Sequence, residues 1–464
     1  MAAGRLTGLD TAFLCLDREV SPMHLGGLAI FRPVRSGDPE RVACLLADRA
    51  QLLPQLRQRV LPARFPLTAA TWADDPEFRV EDHIHLHHLG GDGSLDKAAA
   101  LAAELLVRPL PRTRPLWEFH VISGVGGDRF AVLVKMHHAF GDGLSALDIG
   151  FRVLDGIRSR DGGATNRGAV DDGSPLSTAA PLIAAPSMQT RMLSRLWHVP
   201  GDVRGAVDGA VGQLTEATGI AASMLRRVRL PAPSSPLVIS SSGRRALATA
   251  RLDLPQIRRI RTHYGGTVND VLLSVVVGAL RGWLIARGDS VEGLILRAFI
   301  PVSRRARPRD RIGGNRLSGY LCALPVGEPD PGKRLLKIRE AMEHSKSAGT
   351  SRGAGAIPLL ADRLPAAVHR VAAPAAGQGA SLLFDLMVTS IPLPGIRFTL
   401  DGAELEEVFP LAPLAAGQAL VVGLSWYRDS AYVGLLADRE GLPDVQRLAE
   451  AIQPAAVALD RLSG

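Results

Sequence analysis

The segment Phe130-Ala-Val-Leu-Val-Lys-Met-His137-His138-Ala-Phe-Gly-Asp142-Gly143 gathers two imidazoles and a carboxylate in one short stretch. Imidazole is the side chain whose unperturbed pKa suits proton transfer near neutral pH. A histidine held beside a hydroxyl would take its proton and make the oxygen a nucleophile. Asp142 is close enough in sequence to orient such a ring. It is equally placed to cap a helix beginning at Gly143. Taken alone, the segment reads either as a general base with its support or as two structural histidines before an Asp-capped helix.

The spacing His-His-x-x-x-Asp-Gly occurs a second time, as His87-His88-Leu-Gly-Gly-Asp92-Gly93. That copy follows Glu81-Asp-His-Ile-His-Leu, polar at alternate positions, and its Gly-Gly turn leads into a loop, so it is read as coincidence. His83, His85 and His87 would share one strand face, but no cysteine or carboxylate completes a familiar zinc set. No metal is expected.

A base needs rigid elements to hold it. Strand alternation puts Phe130, Val132, Val134, Met136 and His138 on one face, with Lys135 and His137 on the other. Run to its end, this strand aims His138 at the apolar side. Leu144, Leu147, Phe151 and Leu154 then recur at helical spacing. Other strands are expected near Leu25–Phe31, Trp117–Ile122, Leu294–Val302, Ser318–Val326, Leu383–Ser390 and Ala419–Leu424. Helical patterns cover Pro39–Leu53, Leu95–Leu106, Gln256–His263, Asn269–Ile285, Lys333–His344 and Pro443–Leu462. The mixture predicts an α/β fold. Stretches such as Asp-Gly-Gly-Ala-Thr-Asn-Arg-Gly mark a change of character after Arg158, and Leu193–Arg227 reads as broken helices. The division expected is a first half, 1–157, a crossover, 158–244, and a second half, 245–464.

Composition narrows the partners. The chain has 464 residues, 46% of them hydrophobic, which is enough for large cores. Its net charge of +8 suits anionic lipid or phosphate groups. Aromatics at 5%, with no recognition motif, argue against nucleic acid. Cys15, Cys44 and Cys322 are far apart and odd in number, as in a reducing cytoplasm. The start shows no basic and then apolar run, so no signal peptide is expected. Val271–Leu280 is interrupted by Arg281, and a bilayer span needs ~20 apolar residues, so no transmembrane helix is expected.

The strand–His137-His138-x-x-x-Asp142-Gly143–helix unit resembles the coenzyme A-dependent acyltransferase superfamily, which includes chloramphenicol acetyltransferase, plant acyltransferases and the condensation domains of peptide synthetases. Other pieces resemble one branch, the bacterial wax ester synthase/diacylglycerol acyltransferases. They are Leu6-Thr-Gly-Leu-Asp10-Thr-Ala-Phe13, Pro22-Met-His24, Pro115-Leu116-Trp117, Thr267-Val-Asn269-Asp270, Arg297-Ala-Phe-Ile-Pro301 and Gly314-Asn315. They appear in order across nearly the whole chain. One place departs from the family pattern Ser-Asn-Val-Pro-Gly-Pro: here it reads Thr389-Ser390-Ile391-Pro392-Leu393-Pro394-Gly395.

The resemblance implies two chloramphenicol-acetyltransferase-like halves around a central tunnel. Acyl-CoA would be the cosubstrate, with no metal or prosthetic group. The acceptor would be diacylglycerol, giving triacylglycerol, or a long-chain fatty alcohol, giving a wax ester. His138 would be the general base, with His137 and Gly143 completing the motif and Asp142 structural, orienting the site. Asn269 would contact the oxyanion or the acceptor. Pro115, Leu116, Trp117, Asp270 and Arg297 would lie on the substrate side. Each has a plainer reading: Trp117 as core, Thr267-x-x-Asp270 as a capping box. Arg297 is expected to pair with Asp142. Peripheral attachment to the inner membrane face or a lipid droplet is expected, through basic stretches such as Met188–Arg204 and Met224–Leu230. Two alternatives are an enzyme using carrier-protein-bound acyl donors and a degenerate member that only binds lipid or acyl-CoA.

Overall fold

The computed structural model describes residues 4–34, 38–62, 70–90, 93–155, 235–303, 315, 317–347, 368–370 and 380–462. Nearly all of the crossover, including Met188–Arg204 and Met224–Leu230, lies outside these residues.

The first half runs β1 (Gly4–Arg5), α1 (Gly8–Leu16), β2 (His24–Arg32), α2 (Pro39–Gln51), β3 (Gln58–Leu61), β4 (Thr71–Asp74), β5 (Ile84–His88), α3 (Leu95–Val107), β6 (Trp117–Val125), β7 (Arg129–His137) and α4 (Gly143–Val153). The second runs β8 (Arg245–Asp253), α5 (Leu254–Tyr264), α6 (Val268–Ala286), β9 (Leu296–Ser303), β10 (Leu317–Leu324), α7 (Pro331–Ser347), β11 (Leu386–Pro392), β12 (Thr399–Leu400), β13 (Ala403–Leu411), β14 (Leu420–Tyr427), β15 (Ser430–Asp438), α8 (Val445–Glu450) and α9 (Ile452–Asp460).

Two sheets of six described strands result, ordered β12-β13-β2-β7-β6-β5 and β10-β9-β11-β14-β15-β8. The first takes two strands from late in the chain, because β13 pairs with β2 from Leu411↔Gly26 to Glu404↔Arg32. β13 also binds the second sheet: the Ser425 hydroxyl donates to the Val408 carbonyl and the Tyr432 hydroxyl to the Glu406 carbonyl. The approach is close enough to require glycine, since a Cβ on Gly423 would lie 2.1 Å from the Pro410 carbonyl oxygen. One strand thus fastens the halves together.

α3 is the other fastener. Ser94 caps it by accepting the Lys97 N–H. It packs on β2, β6 and β7 of the first sheet and on β8 of the second. Buried Ala98, Ala99, Ala102 and Ala103 let a helix fit between two sheets. The face of β7 that carries Lys135 and His137 is therefore not solvated. Lys135 is fully buried and donates to the Arg108 carbonyl at the end of α3 and to Glu118. Both faces of the histidine-bearing strand are covered.

α6 is the central helix of the second core. By length and composition alone it is long and apolar enough to cross a membrane, but most of it is buried inside the protein. Arg281 does not stop it: its guanidinium reaches out to the Val326 and Gly327 carbonyls, 3.1 Å each, and the helix continues. Its residues from Val268 to Leu284 are largely buried against the second sheet and its helices.

Candidate active site

β7 ends at His137, and His138 opens a 3-10 turn through Phe140. The strand alternation therefore does not reach His138, contrary to the sequence reading; the turn aims it instead. Two backbone bonds set the turn: His137 N–H donates to Leu116 O at 3.0 Å and His138 N–H to Met23 O at 2.7 Å. The His137 ring caps it, Nδ1 accepting the Ala139 N–H at 3.0 Å. Its Nε2 thus carries the proton and faces Asp17 at 3.5 Å. Burial alone would raise the Asp17 carboxyl, but His137, the Met23 N–H and Arg112 outweigh it and hold Asp17 well below the usual carboxylate range. His137 is closed off, with its ring edge against His24. It shapes the turn rather than meeting substrate.

His138 is half-buried. Burial pushes its pKa down to about 4, more than the ring's bond to its own backbone carbonyl and the nearby Asp142 charge lift it, so the ring is a neutral free base at pH 7. Phe13 stacks on it, 3.9 Å between centroids. Its Nδ1 lies 3.2 Å from Oδ1 of Asn315. Asn315 is buried, and its Nδ2 donates to the His138 carbonyl at 2.6 Å and to Asp10 at 2.7 Å.

Asp10, Phe13 and Asp17 come from one element. The first two lie on α1 and the third is its C-cap, at i, i+3 and i+7 along one helical face. A capping box starts the helix: Asp10 accepts the Thr7 N–H at 2.9 Å while Thr7 Oγ1 accepts the Asp10 N–H at 3.0 Å. Sequence reasoning named Asp10 and Phe13 only as family landmarks and did not name Asp17. Their spacing and the Thr7-x-x-Asp10 box were the signal for a helix facing the histidines.

Asp142 is the N-cap of α4, accepting from Ser145 N–H at 3.0 Å and Ser145 Oγ at 2.8 Å. Gly141 must lack a side chain, since a Cβ there would lie 2.5 Å from the Ser145 Cβ. Gly143 meets the second half, its notional Cβ 3.3 Å from Ile391 Cδ1. Next to Ile391, the Ser390 hydroxyl donates to Oδ1 of Asn269. The altered Thr389–Gly395 segment thus lies against both Gly143 and Asn269.

Other expected contacts do not hold. Arg297 does not pair with Asp142. Its guanidinium binds Asp385 and the Ser381 and Leu382 carbonyls. The cause is local: Leu386 pairs with Ala298 in the sheet, so Asp385 falls beside Arg297. Trp117 has no exposed surface, donates Nε1–H to Leu56 O at 2.8 Å and stacks on His83, so it is core. Pro115 and Leu116 are buried with it and serve through the Leu116 carbonyl that holds His137. Asp270 is buried in its capping box with Thr267. Pro115, Leu116, Trp117 and Asp270 are thus all buried, and of their side-chain polar atoms only one Asp270 carboxylate oxygen lacks a hydrogen-bond partner among the described residues.

Of the second motif copy, His87 contacts His120 at 3.1 Å and His88 contacts Ser123 at 2.9 Å. No helix begins at Gly93; α3 begins after Ser94. Among the described residues no group of three His, Cys, Asp or Glu is arranged for a metal ion.

Two sheet-rich halves clasping a neutral histidine at their junction define an acyltransferase of the coenzyme A-dependent class. A solved wax ester synthase/diacylglycerol acyltransferase from Marinobacter aquaeolei superposes with a TM-score of 0.68 at 25% identity, covering 99% of this chain and 100% of that one. The trichothecene 15-O-acetyltransferase of Fusarium sporotrichioides shares the fold, with a TM-score of 0.63 at 13% identity over 98% of this chain and 94% of that one. Residues 6–272 match the wax ester synthase/diacylglycerol acyltransferase catalytic domain, and residues 313–459 match the family's C-terminal domain. The chain belongs to the wax ester synthase/diacylglycerol acyltransferase family. A Mycobacterium tuberculosis relative that carries the name "probable diacylglycerol O-acyltransferase tgs2" is 28% identical over 98% of both chains.

Proposed function

We propose that this acyltransferase moves a long-chain acyl group from coenzyme A to the hydroxyl of diacylglycerol or a fatty alcohol, with His138 as general base. The observation that carries the reading is the half-buried His138 ring, neutral at pH 7 and held between Phe13 of the first half and Asn315 of the second. The relatives named diacylglycerol O-acyltransferase support the acceptor class. His138 takes the hydroxyl proton as the oxygen attacks the thioester carbonyl. The tetrahedral oxyanion collapses to the ester, and the imidazolium returns its proton to the departing thiolate. In this proposal acyl-CoA is the cosubstrate and the reaction as written needs no metal or prosthetic group. Asn269 is proposed as a donor to the oxyanion; losing one such donor typically costs about a hundredfold or more in rate.

Radiolabelled palmitoyl-CoA offered with diacylglycerol or hexadecanol tests the proposal. Labelled ester should form with at least one acceptor and be lost in His138→Ala. No ester with either acceptor would sink the substrate assignment; equal activity in the variant would sink the base. We propose further that the protein attaches peripherally to the inner membrane face or a lipid droplet, helped by its charge of +8. A high-salt wash should then release part of it, and no release would count against charge.

A further inference from the structure

The proton on a neutral histidine sits on one ring nitrogen, and only the other can act as base. Around His138 the choice follows from two acceptors, the ring's own backbone carbonyl and, across the junction of the halves, Asn315. The Asn315 amide nitrogen faces two groups that can only accept here. One is Asp10 Oδ1, at 2.7 Å, which also takes the Asn315 backbone N–H at 2.9 Å. The other is the His138 carbonyl, at 2.6 Å. The amide cannot be turned over without setting oxygen against oxygen twice. Its Oδ1 is therefore the atom 3.2 Å from His138 Nδ1. An amide oxygen carries no proton, so Nδ1 must donate, and Nε2 keeps the lone pair.

The supports are built in. Asp10 cannot swing away, because its other oxygen closes the α1 capping box on the Thr7 N–H. Asn315 is 1% exposed. It lies in the second half, between β9 and β10, while Asp10 and His138 belong to the first. His137, with Nδ1 accepting from Ala139, has the opposite tautomer, so the adjacent histidines are told apart by their partners.

We propose that Asn315, held by Asp10, is a positioning residue that reinforces the Nδ1–H form of His138 alongside the ring's own carbonyl and fixes the direction in which Nε2 is presented as the base, so that the base is fully held only when the second half is docked on the first. The proposal rests on the reading of His138 as the base.

The full chain labelled with 15N-histidine gives the direct test. Long-range 1H–15N spectra, with His138 assigned by its disappearance in His138→Gln, should show Nδ1 protonated at pH 7. A proton on Nε2 would overturn the proposal, and this measurement needs no variant of Asn315 to fold. Acyl transfer from palmitoyl-CoA, followed from pH 5 to 9, supplies the second arm. Asn315→Leu should lower kcat by roughly tenfold to a hundredfold, part of the 10²–10⁴-fold that a positioned base contributes, with little change in KM. Asn315→Asp puts a carboxylate on Nδ1 and should move the acid limb of kcat/KM upward, which loss of packing alone would not do. Unchanged pH profiles in both variants, beside an inactive His138→Ala, would overturn the role of Asn315 and leave the base standing. Full activity in His138→Ala would remove the base itself, whatever the spectra show.

Discussion

Phe13 lies flat on His138, with 19° between the ring planes. The phenyl ring covers one face of the imidazole that water would otherwise wet. Burial is the largest cause of the low pKa of His138, so Phe13 helps keep the base neutral. Phe13→Ala should raise the His138 pKa from about 4 toward the ordinary 6.5. The acid limb of kcat/KM moves up with it. The lost stacking, ~0.5–1.5 kcal/mol, predicts a kcat lower by about two- to tenfold at neutral pH. A pH–rate profile of the variant checks both; an unmoved acid limb would show that Phe13 does not shield the ring.

Asp142 acts through the start of α4. Its carboxylate holds both the N–H and the hydroxyl of Ser145, and that grip fixes the Gly141–Gly143 turn beside His138. Asn caps a helix nearly as well as Asp, whereas Ala does not, at a cost of about 1–2 kcal/mol. Asp142→Ala should therefore melt earlier and lose most activity, while Asp142→Asn keeps much of both. Thermal unfolding and initial rates measured together will tell; an Asn variant as damaged as the Ala one would mean that charge, not capping, is what the site needs.

The elements that announce themselves by a period were legible in the sequence. β2, β6, β7 and helices α2 to α7 lie within a few residues of where alternation or helical spacing puts them. β15 escaped because all of Ser430–Asp438 is buried, and a strand covered on both faces carries no alternation. α1 escaped because its chemistry is written as a helical face, Asp10-x-x-Phe13-x-x-x-Asp17, that only its partners make meaningful. His138 was found from its motif, but its polar support was not: Asn315 is distant in sequence and reaches the site only through the docking of two halves. Arg297 was misread because a buried arginine announces that it has a partner without saying which one; register against β11 chose Asp385.

Arg297 and Asp385 form a clamp between neighbouring parallel strands. The guanidinium meets both carboxylate oxygens at 3.2 Å, and Asp385 Oδ2 takes the Arg297 backbone N–H at 2.7 Å. Removing one partner of a well-buried pair costs up to about 3–5 kcal/mol; with the Arg297 side chain 18% exposed, about 2–3 kcal/mol is expected here. Arg297→Ala should unfold at lower temperature, yet whatever fraction stays folded should retain its rate. Asp385→Asn should fall short of it, since an amide oxygen can still accept the backbone N–H. Activity titrated per folded molecule decides the matter, because a role in chemistry would lower the rate of the folded fraction as well.

Acid should loosen the protein before it reaches the carboxylates. His24, His87 and His138 are each held down to about 4, mainly by burial, with Lys135 adding to the effect at His24. In the unfolded chain these rings titrate near 6.5, so between pH 6.5 and 4 the unfolded state binds protons that the folded state refuses. Stability is therefore full above 6.5, falls as pH drops through that window, and loses nothing more from these groups below about 4. His24 is nearly inaccessible, its Nδ1 on the Leu106 carbonyl, and alone accounts for on the order of 3 kcal/mol across the window. Melting temperatures recorded from pH 8 to 5 should be level at first and then decline. His24→Gln, which carries no titrating ring, should flatten the decline even if it melts lower throughout; a variant with the wild-type slope would assign the acid sensitivity elsewhere.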